Sequence, residues 1–287
     1  MANLIDIRRR IRSVRNTQQI TRAMKFVSAA KLKKAQARVF AARPYARKML
    51  HLIQHLSARV PDRSHPLLAE RDGNRTLLLL ISGDKGLCGS FNTNIIKAAY
   101  SFRHTMGDAD VVLDVVGKKA ADHFKKQHFK ILTCFVDRLS NPDLALAEEI
   151  ARPVMKLFTE GQFDRVFLLF NRFKSVVQQE LTLEQLLPLH YPETPEDAAE
   201  PGEVDYIYEQ PRQEMYADLF PRHVVTQVYH ALIESVASEH GARMSAMDAA
   251  TKNADEMIDR LVLFRNRVRQ AAITRELIEI VSGASAL

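Results

Sequence analysis

The sequence has no long apolar run, almost no cysteine, no glycine in its first quarter and almost no acid there, and each absence removes a class of protein. No stretch of about eighteen apolar residues occurs, so no helical membrane span is expected. Met1 to Asn16 lacks the apolar core of a secretory signal, so export by that route is not expected. Its Arg-rich, acid-poor character imitates a mitochondrial presequence, but the helical pattern runs on for about sixty residues instead of stopping at a cleavage point. The two cysteines, Cys88 and Cys134, lie far apart with no Cys-x-x-Cys and no His set beside them, which argues against a disulfide framework or a thiolate metal site and for a reducing compartment. His51 and His55 have helical i, i+4 spacing but lack the glutamate that a zinc protease places after the first His, and they read as a solvated helix face. There is no Gly-x-Ser-x-Gly elbow and no acid-rich metal cluster, and Glu193, Glu196, Asp197, Glu200 and Glu203 sit in a Pro-containing stretch that reads as an exposed linker.

What is present at both ends is helix. From Met1 to Asp72 there is no glycine, and Leu4, Ile7, Ile11, Val14, Gln18 and Thr21 alternate steps of three and four before the row drifts through Met24, Val27 and Ala30. A second run, Tyr45, Met49, Leu52, Leu56 and Val60, follows Pro44, where a kink is expected because proline has no N–H to give and crowds the carbonyl four residues back. Pro61 and Pro66 end this helix. At the other end Ala254, Met257, Leu261, Phe264, Val268, Ala271, Arg275 and Ile278 form an a/d row broken only by Arg275, and Val225, Val228, Leu232 and Val236 extend the texture upstream. Between Arg212 and Ser282 the only usual breakers are Pro221 and Gly241. Seventy helical residues span about 100 Å, more than a compact domain needs. Helices of this length depend on packing, and two at opposite ends of one chain most simply pair antiparallel. Thr17, Gln18, Thr21 and Lys25 fall where a strong zipper would place Leu or Ile, so this is either a weak coiled coil or one whose polar positions face other partners. The last fifteen residues, ITRELIEIVSGASAL, are apolar and regular and are expected to lie inside something.

The net charge of +7 belongs to one helix. Residues 1–60 carry fifteen basic side chains against the single acid Asp6, whereas residues 212–287 carry nine basic and ten acidic. Seven like-charge pairs at i, i+3 or i+4, such as Arg8 with Arg12 and Lys34 with Arg38, oppose the helix by about 0.2–0.5 kcal/mol each. An acidic neighbour would offset this: nucleic acid, an anionic membrane or an acidic protein surface. Phe26, Phe40 and Tyr45 are the only aromatics among the charges, and no helix-turn-helix or zinc module is present. Composition leaves nucleic acid and protein equally open.

The middle has a different period. Apolar runs at Thr76–Ser82, Val111–Val116, Ile131–Val136 and Val166–Phe170 alternate with helical segments at Asn92–Met106, Lys118–Gln127 and Asp143–Glu160, which implies a mainly parallel sheet with right-handed crossovers. Val176–Leu186 follows with no room for a crossover helix and should pair antiparallel. The loop Gly83-Asp84-Lys85-Gly86-Leu87-Cys88-Gly89-Ser90 stands where a nucleotide enzyme keeps its phosphate loop. Its spacing fits neither Gly-x4-Gly-Lys-Ser/Thr nor Gly-x-Gly-x-x-Gly, so it reads as a tight strand-to-helix turn.

Four segments together resemble one family: ITRELIEIVSGASAL at the C-terminus, IRSVRNTQQITRAMKFVSAAKLKK from Ile11 to Lys34, GDKGLCGSFN from Gly83 to Asn92, and SEHGARMSAMDAATKNA from Ser238 to Ala254. They are similar to the gamma subunits of F-type rotary ATP synthases, in the expected order along essentially the whole chain. The resemblance implies an antiparallel coiled coil of the N- and C-terminal helices (1–60 and 212–287) plus a central Rossmann-like α/β domain (76–190) without nucleotide, joined by linkers at 61–75 and 191–211. It implies a non-catalytic rotor subunit without cofactor or metal, at the cytoplasmic face of a bacterial plasma membrane. Its expected partners are three alpha and three beta subunits, epsilon, a delta subunit within the complex and the membrane ring of c subunits, with no nucleic acid. By matching position, Arg269, Gln270, Thr274 and Glu276 would engage a beta-subunit loop, and Met24, Lys25 and Arg243 would lie near the acidic lever of beta. Tyr206, Tyr208 and Glu209 would form the foot that meets the c-ring and epsilon, with Gln210 where many relatives have proline. Ile273, Leu277, Ile278, Ile280 and Val281 would run in an apolar bearing. The cysteine-bearing insertion of chloroplast relatives is missing, so thiol regulation is not expected.

Overall fold

The computed structural model describes residues 4–57, 65–107, 110–127, 129–189 and 212–285. In chain order the elements are α1 (Leu4–Ser57), a 3-10 turn (Pro66–Leu68), β1 (Arg75–Ile81), α2 (Phe91–Met106), β2 (Asp110–Val116), α3 (Lys118–Phe124), β3 (Lys130–Phe135), α4 (Leu144–Thr159), β4 (Arg165–Phe173), β5 (Gln179–Leu187) and α5 (Arg212–Ser285). The alternating strands and helices expected from the sequence are all present. Packing divides the chain into two compact units, Met1–Ala30 with Arg243–Leu287, and Lys31–Ala242.

In the second unit five strands form one sheet in the order β3-β2-β1-β4-β5. β1 pairs parallel with β2 and β4, β2 pairs parallel with β3, and β5 runs antiparallel to β4 as its short connection requires. β1 is central and buried on both faces from Thr76 to Ile81, which is why its sequence is a continuous apolar run instead of an alternation. The crossovers through α2 and α3 move in one direction along the sheet and that through α4 moves back, so right-handed connections place α2 and α3 on one face and α4 on the other. The first face buries Leu78, Leu80, Leu113 and Val115 under Ile95, Phe102 and Phe124. α4 begins where the Asp143 carboxylate accepts the Leu146 N–H at 2.9 Å, and buries Leu146, Ile150, Val154 and Phe158 along one stripe.

α1 remains helical through Pro44, and α5 through Pro221 and Gly241. Along α1 the side chains at 4, 7, 11, 14, 18, 21, 25, 28, 32, 35, 39, 42, 46, 49 and 53 are all buried or half-buried, an unbroken heptad alternation. The drift expected after Thr21 therefore does not occur: the row passes through Lys25, Ser28 and Leu32, and Val27, Ala30 and Tyr45 are exposed. Lys25 and Ser28 are seam residues that an apolar count skips. The expected row on α5 holds only in part. Ala254 is buried and Leu261 and Val268 are half-buried, but Met257, Phe264, Ala271, Arg275 and Ile278 are exposed, and the intervening seam positions are Ile258, Arg265 and Ala272. An arginine stem and a small alanine serve as seam residues there, so the more apolar neighbours attracted the sequence-based register.

Candidate functional site

Three places carry the features that the sequence singled out: the glycine loop at the end of β1, the polar stretch of the helix pair, and the last turns of α5.

The glycine loop opens onto the crevice beyond the carboxyl ends of β1 and β4, where the strand order reverses and where doubly wound folds hold their ligands. Here α5 lies in that crevice. A Cβ on Gly83 would stand 3.0 Å from Glu239 Cδ, one on Gly241 would stand 3.3 Å from Phe173 Cε2, and the Ser238 hydroxyl donates to the Asn171 carbonyl at 2.9 Å. Glu234, almost fully buried, accepts the Phe173 N–H at 2.8 Å and faces Arg43 of α1 at 3.4 Å and His230 at 3.5 Å. Burial lowers the His230 pKa, with the Glu234 charge working the other way. The loop itself is tied down by its own side chains. Asp84 accepts the backbone N–H groups of Lys118, Asp137 and Leu139 at 3.0, 3.0 and 3.1 Å, and Asn92 accepts that of Gly83 at 2.9 Å. Gly89 has φ +60°, the left-handed conformation glycine adopts freely, whereas a Cβ on Gly83 would press on the Glu239 and Asn92 side chains. The Gly83 N–H of the loop is thus taken by an amide of the same chain, and the Asp84 carboxylate ties the loop to the residues that follow β2 and β3.

In the first unit, α1 and α5 pair antiparallel: as the α1 partner advances from Gln18 to Thr21 to Lys25, the α5 partner retreats from Asp255 to Thr251 to Asp248. The Thr21 and Thr251 hydroxyls lie 2.8 Å apart, and Lys25 Nζ lies 2.6 Å from Asp248, which Lys252 also approaches at 3.0 Å. Lys25 and then Lys252 hold the Asp248 carboxyl below the usual carboxylate range. Three of the four polar positions that weaken the zipper on paper thus meet polar partners across the pair, and the fourth, Thr17, is exposed and donates to the Ser13 carbonyl. Met24 is half-buried and Arg243 is buried at 7% exposure, five residues before Asp248 and so about 7.5 Å along the axis. Sequence reasoning named Lys25 and Arg243 but missed Asp248, Thr251 and Asp255, whose role is visible only once the antiparallel register is known.

Arg269 and Gln270 are exposed, and past Ala272 the described side chains of α5 are all exposed, Thr274 and Glu276 among them. Ile273, Leu277, Ile278, Ile280 and Val281 are between 49% and 67% exposed. At about 100° per residue, Ile273, Leu277, Ile280 and Val281 form one stripe, turned about 120° around the axis from the seam of Ala254, Ile258, Leu261 and Val268. The tail is therefore a second apolar face and does not prolong the first. Arg269 and Glu276 flank it on one side and Thr274 on the other, while Gln270 lies within its arc. Tyr206, Tyr208, Glu209 and Gln210 lie outside the described residues.

The family model for ATP synthase matches residues 3–287. The ATP synthase gamma chain of Solibacter usitatus is 48% identical over 290 residues, covering 100% of this chain and 99% of the relative. That of Moorella thermoacetica is 46% identical over 287 residues, covering 100% of both. Among solved structures, a chain of the Tetrahymena thermophila mitochondrial ATP synthase central stalk and c-ring aligns with a TM-score of 0.60 at 25% identity, over 80% of this chain and 99% of that one. A chain of the Euglena gracilis mitochondrial ATP synthase shares the fold, with a TM-score of 0.67 at 19% identity over 99% of this chain and 94% of that one.

Proposed function

The chain belongs to the ATP synthase gamma-chain family, and from that premise we propose how its geometry serves a rotary ATP synthase. It is the central shaft of the complex, coupling ion flow through the c-ring to ATP synthesis and hydrolysis at the beta subunits by rotation, and regulating both. The observation that carries this reading is end-to-end correspondence with gamma chains at 46–48% identity.

The helix pair of the first unit is the part that turns within three alpha and three beta subunits. It needs no catalytic group of its own, because an asymmetric shaft imposes a different conformation on each beta subunit in turn. The stripe of Ile273, Leu277, Ile280 and Val281, with Ile278 beside it, runs in an apolar bearing, while Arg269, Gln270, Thr274 and Glu276 reach a beta-subunit loop. Met24, Lys25 and Arg243 lie under the acidic lever of beta, where the basic face of α1 finds the negative partner that its composition calls for. The segment holding Tyr206, Tyr208 and Glu209 meets the c-ring and epsilon, and delta joins the same assembly. No helix among the described residues is long and apolar enough to cross a membrane; attachment is through the c-ring, at the cytoplasmic face of the plasma membrane as in a bacterial synthase.

The test is co-purification with alpha and beta subunits followed by an ATPase assay with and without this chain. A stable complex whose turnover depends on the chain is expected; full activity without it would end the reading. Replacing Lys25 and Arg243 together with alanine should lower the number of ions pumped per ATP. Unchanged pumping per ATP removes both residues from the coupling contact.

A further inference from the structure

Within the second unit, α1, α4 and α5 enclose a groove of about 840 Å³. Its walls are mainly apolar, with Ala42 and Ala46 from α1, Leu144 and Met155 from α4, and Val225 and Tyr229 from α5. Its one acid, Glu148, is already held by Arg152 at 2.6 Å. A smaller cavity of about 130 Å³ adjoins it, lined by Lys31, Lys34, Arg38, His240, Ser140 and Asn141 and by no acid. Asp143 follows these loop residues, but its carboxylate is turned to the Leu146 N–H as a helix cap. Arg38 lines both spaces, so they border the same side chain. Lys31, Lys34 and Arg38 stand three, four and seven residues apart on one face of α1 and repel each other. None of them pairs with a carboxylate among the described residues.

We propose that the groove binds a single-chain anionic amphiphile of the alkyl phosphate class, its head among Lys31, Lys34 and Arg38 and its chain along Ala42, Ala46 and Val225. A phosphate presents several acceptor oxygens to these donors together with Ser140 and Asn141. The apolar groove lies in the size range of small-molecule sites, and its lining by alanines leaves room for an alkyl chain beside α1. Charge complementarity selects the head and the apolar volume selects the tail, so neither part alone accounts for the pair of cavities.

Titration calorimetry on the full chain, with dodecyl phosphate, inorganic phosphate and dodecyl maltoside below their micelle concentrations, separates the two parts. Dodecyl phosphate should bind at least about tenfold more tightly than either of the others. Lys31→Gln with Arg38→Gln should weaken it about tenfold, and more salt should weaken it further. Ala46→Trp should narrow its advantage over inorganic phosphate. Lys31 is exposed and Arg38 half-buried, and the two glutamine changes keep the test informative if Ala46→Trp disturbs packing. Equal binding of inorganic phosphate would overturn the tail site, and equal binding of the maltoside would overturn the head site. No binding of any probe, as when only a protein segment fits the groove, overturns the proposal.

Discussion

At the scale of single residues, Asp114 and His223 set opposing pH responses. Burial holds the Asp114 carboxyl up at about 6, with the Thr133 hydroxyl pulling it back down. A carboxyl whose folded pKa is raised contributes stability that is complete below the unfolded value of 3.8 and is lost as pH rises through 6. Asp114→Asn should therefore stabilise the protein by about 3 kcal/mol at pH 8 and by almost nothing near pH 3.5. Burial alone lowers His223 to about 4. Its neutral ring is at home in the fold, so the loss comes on the acid side: stability is full above pH 6.5 and falls by about 3 kcal/mol as pH drops to 4. His223→Gln should flatten that acid limb, and urea midpoints at pH 4.5 and 7.5 measure both effects. Glu234 acts through contacts instead. Glu234→Ala strands the Phe173 N–H and the Arg43 charge and should lower stability by about 2–4 kcal/mol, whereas Glu234→Gln, which keeps an acceptor for the N–H, should lower it less.

At the scale of elements, the polar seam behaves as matched pairs. Thr21→Val alone leaves the Thr251 hydroxyl facing a methyl group and should destabilise the helix pair by about 1 kcal/mol. Changing Thr251→Val as well should recover most of that loss, because replacing both partners by apolar groups of the same shape is nearly neutral. A double-mutant cycle in thermal unfolding reads the difference. The same seam shows where the sequence was legible and where it was not. β1 announced itself as a continuous apolar run because a central parallel strand is buried on both faces, and the β4–β5 hairpin followed from connection length. The α1 row was readable from Leu4 to Thr21 and then disappeared at Lys25 and Ser28, since a lysine paired with Asp248 and a small buried serine carry no apolar signature. On α5 the exposed Met257 and Phe264 outweighed Arg265 and Ala272, which hold the inner positions. The filling of the sheet crevice could not be read at all: Glu234, Ser238 and Glu239 are ordinary helix residues until the fold brings them to Phe173, Asn171 and Gly83.

At the scale of the whole molecule, the exposed stripe at the end of α5 separates stability from function. Ile273, Leu277 and Ile280 touch too little in the chain itself to matter for its folding, so Ile273→Ala should change its melting free energy by less than about 0.5 kcal/mol. In the proposed bearing role the stripe is a sliding surface, so the same change should also be mild in the assembled complex. Turning Ile273, Leu277 and Ile280 into aspartates together should leave the free chain folded and impair ATP turnover of the complex. The central claim, that this chain is the turning shaft, is tested most directly by watching it turn. Val177, 84% exposed in the turn between β4 and β5, offers an attachment point once replaced as Val177→Cys with Cys134→Ser. With alpha and beta subunits fixed to a surface and a bead on that cysteine, ATP should drive rotation in one direction, in steps that match the number of beta subunits. Steady ATP hydrolysis with a stationary bead would contradict the account.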